Sequence, residues 1–187
     1  MVLIIIQLHM KEILYRLLEH ALEDFYAQEQ RNLQLNVHEI CHGHRLAIYF
    51  ENRIREYDNT HREKLFENYY VDIEFNRTEG GAAKRVYYDK ELHDTRCDML
   101  LHSKGRVHAP ERENLLIVEL KKEHSTERED LDIKEINRMV SPSEEGALDA
   151  AICNTLLGVY LKIGQSRYFG TKYWYEENRV QQEEFAR

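Results

Sequence analysis

The segment Arg96–Lys122 reads RCDMLLHSKGRVHAPERENLLIVELKK, and its pattern decides the expected fold. It contains two apolar runs, Met99–Leu101 and Leu115–Val118, separated by a polar segment with the turn residues Gly105 and Pro110. Short apolar runs bounded by turn residues predict buried strands. Two such strands joined by a hairpin run antiparallel. The segment therefore predicts two neighbouring strands around which the rest of the chain is organised.

Each apolar run carries an acidic residue at one end, Asp98 before the first and Glu119 after the second. In an antiparallel pair these two ends are adjacent, so both carboxylates are expected at one end of the hairpin. Lys121 shares the face of Glu119, because strand residues alternate between faces with a period of two. Two carboxylates beside a lysine predict a site for Mg²⁺ or Mn²⁺, which prefer oxygen ligands. The alternative is two strand-end acids beside a solvated lysine.

Length and charge limit the class of protein. The 187 residues suffice for one domain with a real core and are short for two. The formal charge of −8 provides no overall basic surface, which argues against a nucleic-acid partner, although local patches matter more than the sum. Several basic residues fall in loops near the expected strand ends, where they could hold a phosphate backbone. The whole scattered set is Arg77, Lys84, Arg85, Lys104, Arg106, Lys122, Lys134 and Arg138.

Cysteine usage and the amino-terminal segment bear on the cellular compartment. Cys41, Cys97 and Cys153 are widely spaced and form no C-x-x-C pair. We expect them to be reduced and mostly buried, in a cytoplasmic protein. The apolar run Val2–Ile6 is too short for a transmembrane helix and lacks the basic start and cleavage site of a signal peptide. The sequence therefore predicts no membrane partner, and a buried strand or a first helical turn at this run.

Hydrophobic periodicity predicts two helices before the first strand. Apolar residues recur at three- and four-residue spacing from about Leu8 to Asn32, and again from about Val37 to Tyr57. Asn36 is the expected N-cap of the second helix, with Glu39 at its third position as in a capping box.

Strands and helices alternate along the remainder of the chain. Tyr69–Phe75 alternates apolar and polar residues and predicts a strand, whereas Asn76–Lys84 predicts a loop. Val86–Tyr88 is either a short strand or irregular. The later expected elements are a helix at Glu127–Met139 capped by Ser125 or Thr126, a helix at Glu144–Asn154, strands at Leu156–Ile163 and Arg167–Tyr175, and a fraying polar end over the last dozen residues.

This order of elements predicts a single α/β domain with a central mixed β-sheet flanked by α-helices. Residues 1–35 would form a helical extension at the amino terminus. Residues 36–140 would form the core that carries the motifs, and residues 141–187 a final helix and strands.

The motifs resemble those of the PD-(D/E)XK nuclease superfamily, whose fold is restriction-endonuclease-like. An aspartate at the edge of one apolar run is followed, about twenty residues later, by IVELK in the next. The segments HEICHGHRLAIYF, VDIEFNR and NLLIVELKK follow each other as in its uncharacterised bacterial members. In those, a helix bearing a glutamate precedes the sheet, and a strand with an acid followed by N-R comes next. The resemblance covers about Val37–Asn137, and Cys97 stands where the family name has proline.

The resemblance implies roles for individual residues. Asp98 and Glu119 would bind the metal ion, the backbone carbonyl of Leu120 would complete the site, and Lys121 would be the catalytic lysine. Glu39 matches the acid of the first core helix, a frequent accessory residue.

Glu74 is a further candidate metal ligand, because its strand is expected to pass beside the site. The activity implied is Mg²⁺- or Mn²⁺-dependent hydrolysis of phosphodiester bonds, with DNA as the expected substrate. A homodimer is left open, since cutting both strands of a duplex takes two sites.

Two other functions are consistent with parts of the sequence. The same fold without catalysis would serve as a module that binds nucleic acid or a protein. The segment His38–His42 also fits H-E-x-x-H, in which two histidines one helical turn apart bind Zn²⁺ and the glutamate acts as base. A zinc peptidase would need a third ligand, for which His44, Glu63 and Glu67 are the nearest candidates. A histidine-rich helix start is more often polar surface.

Overall fold

The computed structural model describes residues 2–75, 83, 85–107, 113–142 and 154–187. The helices in these ranges are α1 (Val2–Gln28), α2 (Gln30–Gln34), α3 (Glu39–Thr60) and α4 (Glu129–Val140). The strands are β1 (Tyr70–Ile73), β2 (Arg85–Tyr88), β3 (Glu91–Asp94), β4 (Met99–His102), β5 (Asn114–Lys122), β6 (Leu157–Ile163), β7 (Tyr168–Glu176) and β8 (Arg179–Ala186).

A mixed six-stranded sheet in the order β1-β4-β5-β6-β7-β8 forms the centre of the fold. Strands β5 and β6 run parallel, and the other neighbours run antiparallel. Strands β2 and β3 form a separate hairpin. The predicted α/β class with a mixed sheet and flanking helices is confirmed. So is the predicted antiparallel pair, in which Met99 of β4 lies opposite Val118 of β5.

Helices cover both faces of strand β5, which explains why its residues from Asn114 to Leu120 are all buried. Leu116, Val118 and Leu120 belong to one apolar cluster with buried side chains of α1 and α3. Ile117, on the opposite face, packs with Met139 of α4. The sheet therefore separates α1 and α3 from α4.

Both predicted helix caps are wrong. The N-cap of α3 is His38, whose Nδ1 accepts the Ile40 N–H at 3.4 Å, whereas Asn36 has a left-handed φ of 51°. Helix α4 begins after Arg128, with φ of 60°, rather than after Ser125 or Thr126. In both places a left-handed residue turns the chain first, so each helix begins two residues later than the pattern indicated.

Two hairpins are missing from the sequence predictions. The polar end, expected to fray, forms β8 and pairs along its length with β7 through a turn at Glu177 and Asn178, both with positive φ. Phe185 anchors this strand, with its ring centroid 5.5 Å from that of Tyr15. Val86–Tyr88 belongs to β2, which is paired with β3.

Some predictions concern residues that are described only in part. Helix α1 includes the run Val2–Ile6, in agreement with the helical alternative. Cys97 is buried but Cys41 is exposed, and Cys153 lies outside the described residues, so the expectation of mostly buried cysteines is not supported. The predicted helix at Glu144–Asn154 and most of the loop at Asn76–Lys84 also lie outside them. No helix in the described ranges combines the length and apolarity needed to cross a membrane.

Candidate active site

A cavity of about 320 Å³ opens where β4 begins and β5 ends, on the side of the sheet that α4 covers. Its lining includes the predicted residues Asp98, Glu119, Lys121 and Glu74. The other lining residues are Asp94, Thr95, Arg96, Arg128, Asp132 and Glu135. The predicted carboxylates and lysine therefore share one solvent-accessible space.

The hairpin register positions Asp98 at this cavity. Because Met99, the first residue of β4, lies opposite Val118, the residue directly before it, Asp98, lies near the carboxyl end of β5. Its Oδ2 accepts the backbone N–H of Leu120 at 2.7 Å, which fixes the orientation of the carboxylate. Burial raises the pKa of Asp98, and the negative charges of Glu39 and Asp132 raise it further. The Leu120 N–H and the charge of Lys121 lower this pKa, but the net shift is upward.

Glu119 is the most deeply buried carboxylate of the candidate site, with 6% of its surface exposed. The described residues give it no hydrogen-bond donor, and the charge of Lys121 lowers its pKa only in part. Burial raises its pKa well above the ordinary value, and the negative charges of Asp98 and Asp132 raise the pKa further. An ionised, buried carboxylate without a donor is unfavourable unless a cation compensates it.

Lys121 connects three elements. Its Nζ lies 3.1 Å from Oδ2 of Asp132 on α4 and 3.5 Å from Oε1 of Glu39 at the start of α3. Burial lowers its pKa, but Asp132, Glu39 and Asp98 together outweigh burial, and the net pKa is raised. The ammonium group is therefore charged at neutral pH and held at the edge of the cavity.

Glu39 and Leu120 act at this site through the backbone of β5. Oε2 of Glu39 accepts the N–H of Lys122 at 3.1 Å, while its Oε1 approaches Lys121, although Glu39 does not itself line the cavity. The N–H of Leu120 holds Asp98. The expected role of the Leu120 carbonyl as a metal ligand stays a prediction.

Glu74 follows β1 in a left-handed conformation with φ of 47°. Its Oε1 lies 3.6 Å from the guanidinium of Arg96, and its backbone N–H donates to the carbonyl of Asp98 at 3.4 Å. The structure therefore places Glu74 beside the predicted site, in a contact with Arg96 that the sequence did not indicate.

Asp132 and Glu135 of α4 are buried at the cavity and were missed from the sequence. Oε2 of Glu135 accepts the Thr95 hydroxyl at 2.9 Å. Both acids lie on the buried stripe of α4, together with Ile136 and Met139. Acids at apolar-stripe positions of an amphipathic helix were the available signal, because such positions face the core.

The donor set suits a hard cation. The cavity lining contains six acidic side chains and three basic ones, and the charges of Asp98 and Asp132 raise the pKa of the buried Glu119. Within the described residues no three His, Cys, Asp or Glu side chains are already grouped closely enough to enclose a metal ion. Mg²⁺ usually takes only one or two protein carboxylates and keeps several waters. Asp98 and Glu119 fit that requirement.

The H-E-x-x-H motif does not form the helical pair of histidines that a zinc peptidase uses. His38 precedes α3 with an extended backbone, φ −59° and ψ 144°. His42 is buried, with its ring edge-on to Phe25 at a centroid distance of 5.8 Å. Burial lowers the pKa of His42, and the charge of Lys122 lowers it further.

Comparison of the chain with protein-family models, with curated proteins and with solved structures found no match. Its function is therefore inferred from the geometry of the cavity and from the motifs that the sequence carries.

Proposed function

We propose that the protein is a metal-dependent phosphodiesterase, a DNA nuclease on a restriction-endonuclease-like fold. The observation that supports this most strongly is the meeting of Asp98, Glu119 and Lys121 at one cavity. Asp98 comes from one strand of the hairpin, and the other two residues lie on the same face of its partner. Carboxylates with an adjacent lysine are a combination suited to binding a divalent ion and positioning a water or phosphate oxygen.

The order of elements also supports the proposed fold. Helix α3, which begins at Glu39, precedes the sheet, and β1, which ends just before Glu74, comes next. Asp98, directly before β4, and Glu119 on β5 then follow, and β4 and β5 are adjacent in the sheet. This is the sequence of helix and strands that the family resemblance implies.

In this proposal Asp98 and Glu119 hold Mg²⁺ or Mn²⁺, with Glu74 and the Leu120 carbonyl as further candidate ligands. The bound ion would lower the pKa of a coordinated water and offset charge on the phosphate. The Leu120 N–H keeps the Asp98 carboxylate in one orientation. Lys121 donates a hydrogen bond to the attacking water or to a phosphate oxygen as negative charge develops there. Glu39 positions Lys121 and the end of β5.

Cleavage of single-stranded DNA, duplex DNA and RNA with Mg²⁺ or Mn²⁺ tests this proposal. We expect Asp98→Asn and Lys121→Ala to reduce cleavage at least about 10²–10³-fold, the usual effect of removing a group that stabilises the transition state. Lys162→Ala is a matched control, because Lys162 lies beside Lys121 on β6 and pairs with Glu129 outside this cavity. Full activity in Asp98→Asn or Lys121→Ala would refute the assigned roles.

Metal binding provides a readout that is independent of cleavage. We expect Mn²⁺ to raise the melting temperature of the wild type, because a ligand that binds only the native state stabilises it. The shift should be lost in Asp98→Asn and kept in Lys162→Ala. Wild-type protein that binds DNA and Mn²⁺ but cuts no substrate would instead support a non-catalytic nucleic-acid-binding module.

A further inference from the structure

A second cavity, of about 540 Å³, lies at the carboxyl ends of the parallel strands β5 and β6. His42, Lys122, Ser125, Gln165 and Ser166 contribute polar groups to it. It shares no lining residue with the candidate active site. Loops at the carboxyl ends of parallel strands are a frequent place for ligands in α/β proteins.

His42 is an unusual wall residue for this cavity. Only 3% of its surface is exposed, and no hydrogen bond joins its ring to another described residue, but its nitrogens are not among the fully buried side-chain atoms that lack a partner. Its lowered pKa favours the neutral ring, which offers one N–H donor and one acceptor. The ring nitrogens are therefore open to the cavity, where a ligand can pair with them.

Lys122 supplies positive charge to the same cavity. Its Nζ donates to the Asn36 carbonyl at 3.1 Å, which uses one of the three N–H groups of the ammonium. Glu123 also lines the cavity, but its carboxylate is paired with Arg167. The negative charge of Glu123 is therefore largely balanced by Arg167, and the positive charge of Lys122 remains available to a ligand.

The second cavity is linked to the candidate active site through β5. Lys121 and Lys122 are consecutive strand residues and point to opposite faces of the sheet. Glu39 contacts both, since Oε1 approaches Nζ of Lys121 and Oε2 accepts the N–H of Lys122. His42 lies one turn after Glu39 on the same helix. A nucleic-acid strand that crosses the end of β5 would therefore meet the cavity of the candidate active site and then the second cavity.

We propose that this second cavity binds a phosphate group of the substrate strand, a short distance from the phosphodiester that is cut. Lys122 and the imidazole N–H would donate to the phosphate oxygens, with Ser125, Gln165 and Ser166 as neutral donors. Charge-assisted hydrogen bonds of this kind are the strong ones. The inference depends on the proposed nuclease function only for the identity of the molecule that carries the phosphate.

The test is an NMR titration of the His42 ring in EDTA, where metal-dependent cleavage is absent. The chain has ten histidines, so the His42 signal is assigned by its loss in His42→Gln. The probes are inorganic phosphate, the dinucleotide dTpdT and thymidine. We expect dTpdT and phosphate to shift the signal and thymidine to leave it unchanged. A shift with thymidine of the same size as with dTpdT would overturn the proposal. So would a shift with free phosphate and none with dTpdT.

Substitution of Lys122 completes the test. Lys122→Met should weaken dTpdT binding by about tenfold or more, the usual size for a hydrogen bond to a charged group. Lys122→Arg should retain most of the binding, and the exposed Lys64→Met is the surface control. Unchanged affinity in Lys122→Met would overturn the proposal even if the protein cuts DNA. Binding that depends on Lys122 in a protein that cuts no substrate would keep the phosphate site and refute the nuclease function.

Discussion

The two faces of strand β5 differ in chemistry although both are covered by helices. Toward α1 and α3 the strand presents Leu116, Val118 and Leu120, all within the largest apolar cluster. Toward α4 it presents Ile117, then Glu119 and Lys121. Near its middle this second face is as apolar as the first. The faces diverge only at the carboxyl end of the strand, where α4 begins.

The difference arises from the helices that cover each face. Helix α3 contributes fully buried apolar residues such as Phe50 and Ile54. Helix α4 contributes Ile136 and Met139 farther along, but Asp132 near its start. One face therefore stabilises the fold by apolar burial. The other holds carboxylates whose pKa values are raised by burial and by neighbouring acids, an effect that Lys121 offsets only in part.

The largest expected effect comes from the apolar face. Leu116→Ala should lower the free energy of unfolding by about 2–5 kcal/mol, because it leaves a cavity at a fully buried position. Urea denaturation measures this loss. Leu35→Ala, at a leucine that is 64% exposed, is the control and should change stability by less than about 0.5 kcal/mol. Equal effects of the two substitutions would show that this face is not the core.

A smaller loss is expected where α4 packs on the sheet. A Cβ at Gly158 would lie 2.5 Å from Cγ2 of Ile136 and 3.0 Å from Cγ1 of Val140. Gly158→Ala should therefore destabilise the protein by about 1–3 kcal/mol through overpacking. Gly43→Ala is the matched control, because no atom lies within 4 Å of its added Cβ and alanine favours a helix. A neutral Gly158→Ala would mean that α4 packs more loosely than described.

The sequence predicts much of the central sheet because strands covered on both faces are apolar throughout. Strand β5 shows this pattern, and the acids at the ends of β4 and β5 are close because antiparallel pairing leaves little freedom. The hairpins β2–β3 and β7–β8 were missed because neither turn contains glycine. Asp89, Lys90, Glu177 and Asn178 adopt positive φ there, and only the Asp and Asn among them favour it.

The candidate site was predicted where residues belong to one hairpin, whereas Asp132 and Glu135 of α4 were missed. Asp98, Glu119 and Lys121 follow from period-two alternation and one hairpin. Asp132 was missed because strand spacing contains no information on how a later helix is rotated against the sheet. The contact of Glu39 with the Lys122 N–H depends on where α3 begins, and the predicted start was two residues early.

The polar face predicts a substitution that stabilises the protein. Glu119→Gln should raise the free energy of unfolding at pH 7, because burial and the charges of Asp98 and Asp132 make the ionised carboxylate unfavourable in the folded state. The amide keeps the shape of the side chain and removes the cost of either ionising or protonating it in the folded state. The same substitution should abolish the stabilisation by Mn²⁺. Glu127→Gln, at an exposed position, should change neither quantity.

The smallest effect is the pH dependence of that gain. Because folding raises the pKa of Glu119, the native state holds a proton that the unfolded chain releases above a pH of about 4.3. Wild-type stability is therefore lost, relative to Glu119→Gln, as pH rises from that value to the folded pKa. We expect the difference to be near zero at pH 4 and to widen by at most about 1.4 kcal/mol per pH unit, the limit for one proton.

Urea titrations of both proteins at several pH values measure this difference. His42 contributes the opposite slope below about pH 6.5, because its pKa is lowered on folding, but that contribution is common to both proteins and cancels. A constant difference from pH 4 to pH 8 would show that the Glu119 carboxylate is not destabilised by burial. The polar face of β5 would then need no cation to balance it, and the contrast with the apolar face would be one of residue type alone.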